Sequence, residues 1–255
     1  MENNLDVIIV AEAENLDIPY LLYRLDEAGK TFEQKAVLPK KVGLMLFASI
    51  NLSVTTYKEE THFTAYKVQE NGKNYLLFAT HFSSAMFASE SARSQRANDL
   101  CRVIQKLETI CNIEAAKTGE STYNTVIVGD FNLQPFSDGI IGMHGFNAIM
   151  DAKRAKRGSR TLNGFPISFY YNPMWHLMGK RGGPLGTYYC ESDQDDKSFY
   201  WYTFDQVLLK PDLIDDFIWD EFKIVDRIGD KNLINSHKIK SERFSDHLPI
   251  KFELR

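Results

Sequence analysis

Short apolar runs bounded by polar residues recur along the chain and predict buried β-strands. Residues 6–11 read Asp-Val-Ile-Ile-Val-Ala, a β-branched run that is too short for a helix and apolar on both faces, as is typical of a central strand. Residues 44–50 form a second apolar run. Because Glu12 follows the first run directly, we expect a carboxylate at the end of a buried strand.

A hairpin is predicted next. Residues 62–69 and 75–79 flank the dipeptide Asn71-Gly72, and Asn-Gly between two apolar segments favours a tight two-residue turn. His81 follows the second arm of this hairpin. A histidine therefore stands, like Glu12, just beyond a predicted strand.

The middle of the chain predicts one long helix followed by another strand. From about residue 89 to 117, apolar side chains recur at the spacing of one helix face, at Leu100, Val103, Ile104, Leu107, Ile110 and Cys111. Residues 125–128 are then fully apolar, and Gly-Asp-Phe-Asn follows at 129–132. This strand, helix, strand order predicts a layered α/β fold.

The last third of the chain has a weaker pattern. Residues 160–202 are rich in Gly, Pro, Tyr and Trp and show neither period, so we expect a long decorated loop region there. Strand character resumes over 201–209, around Asp205, and returns at 250–254.

Composition narrows the class without identifying a function. A chain of 255 residues with 44% hydrophobic and 25% charged residues is expected to form one globular domain over 1–255, because no linker-like segment interrupts it. A net charge of -4 restricts any nucleic-acid contact to a local patch. Three widely spaced cysteines and the absence of a targeting segment or an apolar span predict a cytoplasmic protein without a disulfide framework or a zinc site.

Polar residues at the strand ends are the candidates for chemistry. Glu12, His81 and Asp130 each follow an apolar run, where a sheet opens its ligand crevice. Any one of them alone is better explained as the start of a surface loop, but the three together favour a common site. Asp246 and His247 are adjacent, a useful combination for holding a metal or water and moving a proton. Asp205, within an apolar strand, needs a partner. We predict that it orients His247.

These residues lie in five motifs that resemble the endonuclease/exonuclease/phosphatase superfamily, which has the fold of pancreatic deoxyribonuclease and abasic-site endonucleases. In chain order, the motifs are Asp-Val-Ile-Ile-Val-Ala-Glu ending at 12, Ala-Thr-His-Phe around 81, Gly-Asp-Phe-Asn at 129–132, Phe-Asp-Gln-Val-Leu-Leu around 205, and Ser-Asp-His-Leu-Pro-Ile at 245–250. Gly-Asp-Phe-Asn and Ser-Asp-His are the most specific of the five. The resemblance covers most of the chain.

The resemblance implies a two-sheet α/β sandwich flanked by helices and a hydrolase that uses Mg²⁺ or Mn²⁺. It implies that Glu12 holds the metal, that His81 and Asn132 line the phosphate pocket, and that Asp130 positions the attacking water. Asp246 would complete the metal centre. Mg²⁺ itself favours carboxylate and water oxygens.

In the same family interpretation, His247 as an imidazolium stabilises the charge that develops on phosphorus, with Asp205 holding the ring. Asn132 would donate a hydrogen bond to the same phosphate. A positioned acid or base typically contributes about 10²- to 10⁴-fold.

One feature departs from the family. Its members usually begin with a strand whose end supplies an asparagine to the metal centre, upstream of the Glu12 strand. No such strand precedes Glu12 here, and Asn3 and Asn4 lie too close to it. We expect either a misplaced start or shortened sequence, or a natural variant that has lost metal affinity; a ligand set this complete favours the first explanation.

Two further patterns have competing interpretations. The basic stretch Lys153, Arg154, Lys156, Arg157 and Arg160 could grip a phosphate backbone, but such a run is more often a solvated helix face. The aromatic residues of the last third could stack on bases, lipids or sugars, although packing is the commoner role.

The sequence thus predicts a divalent-metal-dependent phosphoesterase. Nucleic acid is the first substrate to test, for endonuclease or exonuclease activity, and a small phosphorylated molecule or lipid head group, cleaved by a phosphatase or phosphodiesterase, is the second. A catalytically silent phosphate-binding module is the alternative from another class. No protein partner is indicated.

Overall fold

The computed structural model describes residues 5–37, 44–84, 88–191, 199–235, 238–242 and 244–255. They group into two compact units. The first unit comprises Met1–Ser83 and Val103–Asp130, and the second comprises Ser84–Arg102 and Phe131–Arg255. That the whole chain acts as one domain stays a prediction.

Most of the first unit is regular structure. Its strands are β1 (Val7–Val10), β2 (Phe32–Val37), β3 (Met45–Ser49), β4 (Ser53–Glu59), β5 (Phe63–Glu70), β6 (Lys73–His81) and β7 (Tyr123–Asp130). Its helix is α1 (Ile18–Glu27), and a second helix, α2 (Glu90–Thr118), begins in the second unit and ends in the first. All strands predicted in this part of the chain and the long helix are confirmed, whereas α1, β2 and β4 were not predicted.

The smaller sheet of the first unit is three-stranded, with the order β1-β3-β2 and antiparallel pairing throughout. Helix α1 packs against it through Leu21, Leu22 and Leu25, over a core that includes Phe32 and Phe47. Strand β1 pairs with β3 and all its residues are only half-buried. Among the described residues β1 is thus an edge strand, and the prediction of a central strand is wrong. An apolar run indicates that the faces of a strand are buried, but it does not indicate how many strands pair with it.

The larger sheet of the first unit positions the candidate site. Strands β4, β5 and β6 are antiparallel neighbours, and β7 pairs with β6 in parallel after the α2 crossover. Asn71 and Gly72 both have positive φ, at 50° and 80°, which is the two-residue turn that the Asn-Gly sequence predicts. The parallel register places His81 opposite Asp130, so both lie where the two strands end, on the same side of the sheet.

Gly129 is the residue that lets β6 and β7 approach each other at this edge. Its φ is +141°, and a Cβ atom there would lie 2.0 Å from the carbonyl oxygen of Thr80, far inside van der Waals contact. The glycine of Gly-Asp-Phe-Asn therefore has a structural reason, which is the close backbone approach next to Asp130.

Shorter elements characterise the second unit. Its helices are α3 (Asp138–Ile141) and α4 (Ala152–Ala155), and 3-10 turns occupy Pro173–His176, Pro211–Leu213 and Trp219–Glu221. Its strands are β8 (Ala148–Ile149), β9 (Ser159–Leu162), β10 (Phe165–Ser168), β11 (Tyr170–Tyr171), β12 (Tyr188–Tyr189), β13 (Trp201–Tyr202), β14 (Asp205–Leu209), β15 (Lys223–Ile224), β16 (Arg227–Ile228), β17 (Lys231–Asn232), β18 (Ile234–Asn235), β19 (Lys238–Ile239) and β20 (Ile250–Lys251). Strand β11 joins β14 and β8, and the remaining strands of the unit form two-stranded pairs.

The prediction of a loop region over 160–202 needs correction. Strands β9 and β10 form a hairpin, and Asn163 and Gly164 at its turn have φ of 51° and 83°. The predicted strand over 201–209 is interrupted between β13 and β14. There the N–H of Thr203 donates to the side chain of Gln134, 3.0 Å away, and the N–H of Phe204 donates to Thr187 Oγ1, 3.1 Å away. Because these N–H groups bond to side chains, they cannot pair with a neighbouring strand, and β13 therefore ends here.

Candidate functional site

In the first unit, His81 and Asp130 stand at the ends of the parallel strands β6 and β7. The His81 Nε2 atom lies 3.7 Å from Asp130 Oδ2, and both residues are buried. The backbone N–H of Phe82 donates to the carbonyl oxygen of Asp130, 2.8 Å away, which extends the pairing one residue past the strand ends. The position of Asp130 is thus set by backbone register.

Glu12 approaches the same histidine from the end of β1. Its Oε1 atom lies 3.7 Å from His81 Nε2, and its side chain is 72% exposed. Glu12 has a φ of 53°, a left-handed conformation that is uncommon for residues other than glycine and that concentrates at functional sites. Two carboxylates therefore lie at the same distance from one imidazole nitrogen in this unit.

His62 fixes the backbone of His81. The His81 N–H donates to the His62 carbonyl oxygen at 3.0 Å, and His62 Nδ1 lies 3.2 Å from the His81 carbonyl oxygen. Sequence reasoning missed this supporting role, because nothing in the pattern around His62 distinguishes it from a surface histidine.

In the second unit, Asp205 and His247 form a close pair. Asp205 begins β14, and its Oδ2 atom lies 2.7 Å from His247 Nδ1, within the range of a charge-assisted hydrogen bond. The His247 N–H donates to Ser245 Oγ at 3.1 Å, which shapes the loop that carries the ring. The Asp205 carboxylate thus orients the His247 ring through Nδ1.

Tyr188 covers one side of the His247 ring. The ring centroids are 4.8 Å apart, and residues 188 and 247 also form an antiparallel bridge. Burial, with smaller contributions from Cys190 and the exposed Asp246, raises the pKa of Tyr188 above its ordinary value. The phenol is therefore neutral at physiological pH and serves as a packing surface rather than as a base.

Thr187 joins the two partners of the Asp205–His247 pair. Its Oγ1 accepts hydrogen bonds from the N–H groups of Phe204 and Asp205, each at 3.1 Å. Its carbonyl oxygen accepts from the N–H of Leu248 at 2.7 Å. One fully buried residue thus contacts the backbone at or beside both members of the pair.

Asn132 lies on the loop after β7. The residue before it and the residue after it are hydrogen-bonded to the two neighbours of Asp205. The Phe131 N–H donates to the Phe204 carbonyl oxygen at 2.9 Å, and the Gln206 amide donates to the Leu133 carbonyl oxygen at 2.6 Å. Residue 132 is therefore held alongside residue 205. Asn132 is buried, with a left-handed φ of 49°, a conformation that asparagine tolerates better than most residues.

The predicted residues thus fall into two sets. The first unit brings together Glu12, His81 and Asp130, and the second brings together Asn132, Asp205 and His247, with Asp246 exposed beside the histidine. Sequence reasoning missed Thr187 and Gln206. Gln206 had a detectable signal, since it is a polar residue inside an apolar strand and is fully buried; Thr187 lies in a stretch without a pattern.

The carboxylates of the first set suit a hard divalent cation. Glu12 and Asp130 each offer an oxygen donor 3.7 Å from the same histidine nitrogen. Glu12 is open to solvent, and the set contains no thiolate. Mg²⁺ and Mn²⁺ favour such oxygen donors and retain some of their waters. The residues present therefore fit the cation that the sequence implies.

The fold is that of the deoxyribonuclease I-like α/β proteins. A truncated TDP2 from Caenorhabditis elegans is similar at 13% identity and a TM-score of 0.55, over 98% of this chain and 84% of that one. A beta toxin from Staphylococcus aureus is similar at 15% identity and a TM-score of 0.52, over 99% and 88%. No family model and no curated protein sequence matches the chain.

Identities this low establish a shared fold and nothing finer. They confirm the α/β, deoxyribonuclease I-like fold expected from the five motifs. Among the described residues, no helix has the length and apolar character needed to cross a bilayer.

Proposed function

We propose that this chain is a divalent-metal-dependent phosphodiesterase that acts on nucleic acid. The observation that carries it is the Asp205–His247 contact at 2.7 Å, because an imidazole held by a carboxylate at Nδ1 is suited to stabilising a charged phosphoryl group.

Each protein group has a defined task in the proposed reaction. Asp130, buried and set by the β6–β7 register, accepts a proton from the attacking water. As the water oxygen bonds to phosphorus, the bond to the leaving oxygen breaks, and that oxygen takes a proton from solvent. His247 donates from Nε2 to a phosphoryl oxygen, while Asn132 donates from its amide to the same phosphate and His81 lines the pocket.

Glu12, with Asp130 nearby, would hold the cation, and Asp246 is proposed as a further ligand on the family resemblance alone. When bound, Mg²⁺ or Mn²⁺ supplies positive charge that stabilises the phosphoryl oxygens. Glu12 is suited to this task because its side chain is 72% exposed and therefore open to a hydrated ion.

Two alternatives remain distinct from this proposal. A small phosphorylated molecule or a lipid head group would use the same chemistry. A silent phosphate-binding module would retain His247 and Asn132 but show no turnover. We also propose a cytoplasmic location, because the three cysteines form no disulfide.

Hydrolysis assays with and without EDTA test the proposal. Single-stranded DNA, plasmid, RNA, abasic DNA and bis(p-nitrophenyl) phosphate are incubated with wild-type protein and with Asp130→Asn. We expect cleavage that requires Mg²⁺ or Mn²⁺ and that falls by about 10²-fold or more in the variant. Phosphate binding without cleavage of any substrate, with either metal, would establish the silent module instead.

A further inference from the structure

A basic, exposed part of the second unit takes no part in the proposed reaction. We name residues 153–168 the basic hairpin segment; it runs from helix α4 through the β9–β10 hairpin. It contains Lys153, Arg154, Lys156, Arg157 and Arg160, in a chain whose net charge is -4. The segment is therefore a local patch of positive charge on a chain that is negative as a whole.

Three of these cations have no acidic partner among the described residues. Lys156 forms an ion pair with Asp215, and Arg154 lies 4.0 Å from Asp151. Lys153, Arg157 and Arg160 are exposed and form no ion pair within the described part of the chain. Unpaired cations on a surface are available to a phosphate backbone, whereas paired ones must first be released.

The hairpin presents one mixed face. Its register pairs Arg160 with Ile167 and Leu162 with Phe165, so these four side chains share a face of the two-stranded ribbon. Phe165 is 69% exposed, whereas Leu162 and Ile167 are half-buried. A cation and an open aromatic ring therefore stand on the same surface.

This face belongs to an anchored structure. The Asn147 amide donates to the carbonyl oxygen of Ser168 at 3.0 Å, and the N–H of Phe169 donates to Gly158 at 2.9 Å. Ala155 of α4 is fully buried. The segment is thus held at both ends of the hairpin. Arg160 follows Arg157 by three positions, so their Cα atoms are at most about 11 Å apart.

We propose that the basic hairpin segment binds single-stranded nucleic acid. Lys153, Arg157 and Arg160 would contact backbone phosphates, and an unpaired base would stack on Phe165. Aromatic rings beside cations are the arrangement that single-strand-binding surfaces use, and a base in a duplex does not expose its face to a surface ring. This inference rests on the proposed function, because it assigns the class of substrate.

A membrane is the less suitable partner for this surface. The tip of the hairpin is Asn163-Gly164, and inserting Phe165 into a bilayer would bury the polar turn next to it at a large cost. Leu162 and Ile167 are half-buried and add little apolar area. The exposed surface thus suits one stacked base better than an acyl layer.

Binding of a short fluorescent oligonucleotide of single-stranded DNA tests the inference. Anisotropy is measured over a range of salt concentrations in EDTA, with His247→Ala as the common background so that no cleavage intervenes. The variants are Arg157→Gln/Arg160→Gln and Phe165→Ala. The matched control is Arg227→Gln/Lys231→Gln, which removes two exposed cations from the two-stranded β16–β17 hairpin of the same unit.

We expect Phe165→Ala to weaken binding about fivefold or more, as the loss of one stacked base does. The double arginine variant should weaken binding and lower the salt dependence, with the slope of log K against log salt falling by about 1.4 for two lost contacts to a single strand. The control variant should bind as the background protein does.

Unaltered binding in both test variants, or an equal loss in the control, would overturn the inference. So would binding of phosphatidylserine vesicles that is lost in Phe165→Ala while oligonucleotide binding persists, since that result assigns the surface to a membrane. Hydrolysis of bis(p-nitrophenyl) phosphate, measured in proteins that retain His247, separates the two proposals. Its absence in the wild type contradicts the proposed enzyme, whereas the binding result alone decides the role of the basic hairpin segment.

Discussion

The two units hold their candidate site residues by different means. In the first unit, backbone register places Asp130 opposite His81, at the ends of two parallel strands. In the second unit, side-chain hydrogen bonds do this work, since Asp205 holds His247 and Thr187 holds the backbone of both segments. A site residue held by backbone is sensitive to changes in main-chain packing, whereas one held by side chains is sensitive to single conservative substitutions that leave the fold intact.

The largest expected effect comes from removing the histidine of the second unit. His247→Ala should lower kcat for a phosphodiester by about 10³-fold while the thermal melt changes little, because the ring is only partly buried. Steady-state kinetics and a melting curve measure the two quantities. His144→Ala, at an exposed histidine of the same unit, is the control; an equal loss in both variants would contradict the assignment.

Disturbing the backbone of the first unit should instead affect stability. Gly129→Ala places a methyl group 2.0 Å from the Thr80 carbonyl oxygen, so β6 and β7 must separate, at a cost of about 3 kcal/mol or more. Urea unfolding measures the free energy. Gly119→Ala is the matched control, because Gly119 also has a positive φ but has open space around its Cβ position; its cost should be about 1 kcal/mol. Equal costs would show that register does not depend on Gly129.

A smaller effect is expected when the charge of Asp205 is removed but its shape is kept. Asp205→Asn should lower kcat by about 10- to 100-fold, the range typical of a group that orients another ligand, and KM should change less than kcat. If kcat were unchanged and KM alone rose, Asp205 would contact substrate rather than orient His247.

The smallest expected effect comes from Thr187, and it tests directly whether side-chain hydrogen bonds hold the site residues of the second unit. Thr187→Val removes the acceptor of the Phe204 and Asp205 N–H groups without changing the size of the side chain, and it should lower kcat by about 10-fold. Thr187→Ser restores the hydroxyl and should restore kcat. A loss that serine does not rescue would mean that the methyl group, and hence packing, is what matters at this position.

Sequence reasoning predicted the positions of the candidate residues where each side chain followed an apolar run, while their roles stay predictions. Glu12, His81 and Asp130 were found in this way, because a strand that ends at the sheet edge delivers its next polar residue to that edge. The same reasoning could not find Thr187, whose contacts arise from the tertiary fold and which lies in a segment without period. It also misjudged β1, since apolar faces do not reveal whether a strand has one neighbour or two.

The two Asn-Gly hairpins show the same limit. The turn at Asn71 was predicted because long apolar arms flank it, and those arms are buried strands. The turn at Asn163 has the same left-handed backbone, but its arms are short, mostly exposed, and contain Pro166, which weakens any prediction of a strand. The Asn-Gly sequence at 163–164 indicated a turn, but the apolar strands that normally flank such a turn were absent.

The parallel pairing of β6 with β7 also governs how the first unit folds. The β5–β6 hairpin joins residues that are close in the chain, whereas β7 can pair with β6 only after the α2 crossover has been made. Local pairings form faster than distant ones, so β6 is expected to wait with one edge open and with apolar residues such as Leu76 and Phe78 still exposed. An unpaired apolar edge invites pairing with other chains, and slow closure of this strand is therefore where we expect misassembly during refolding to begin.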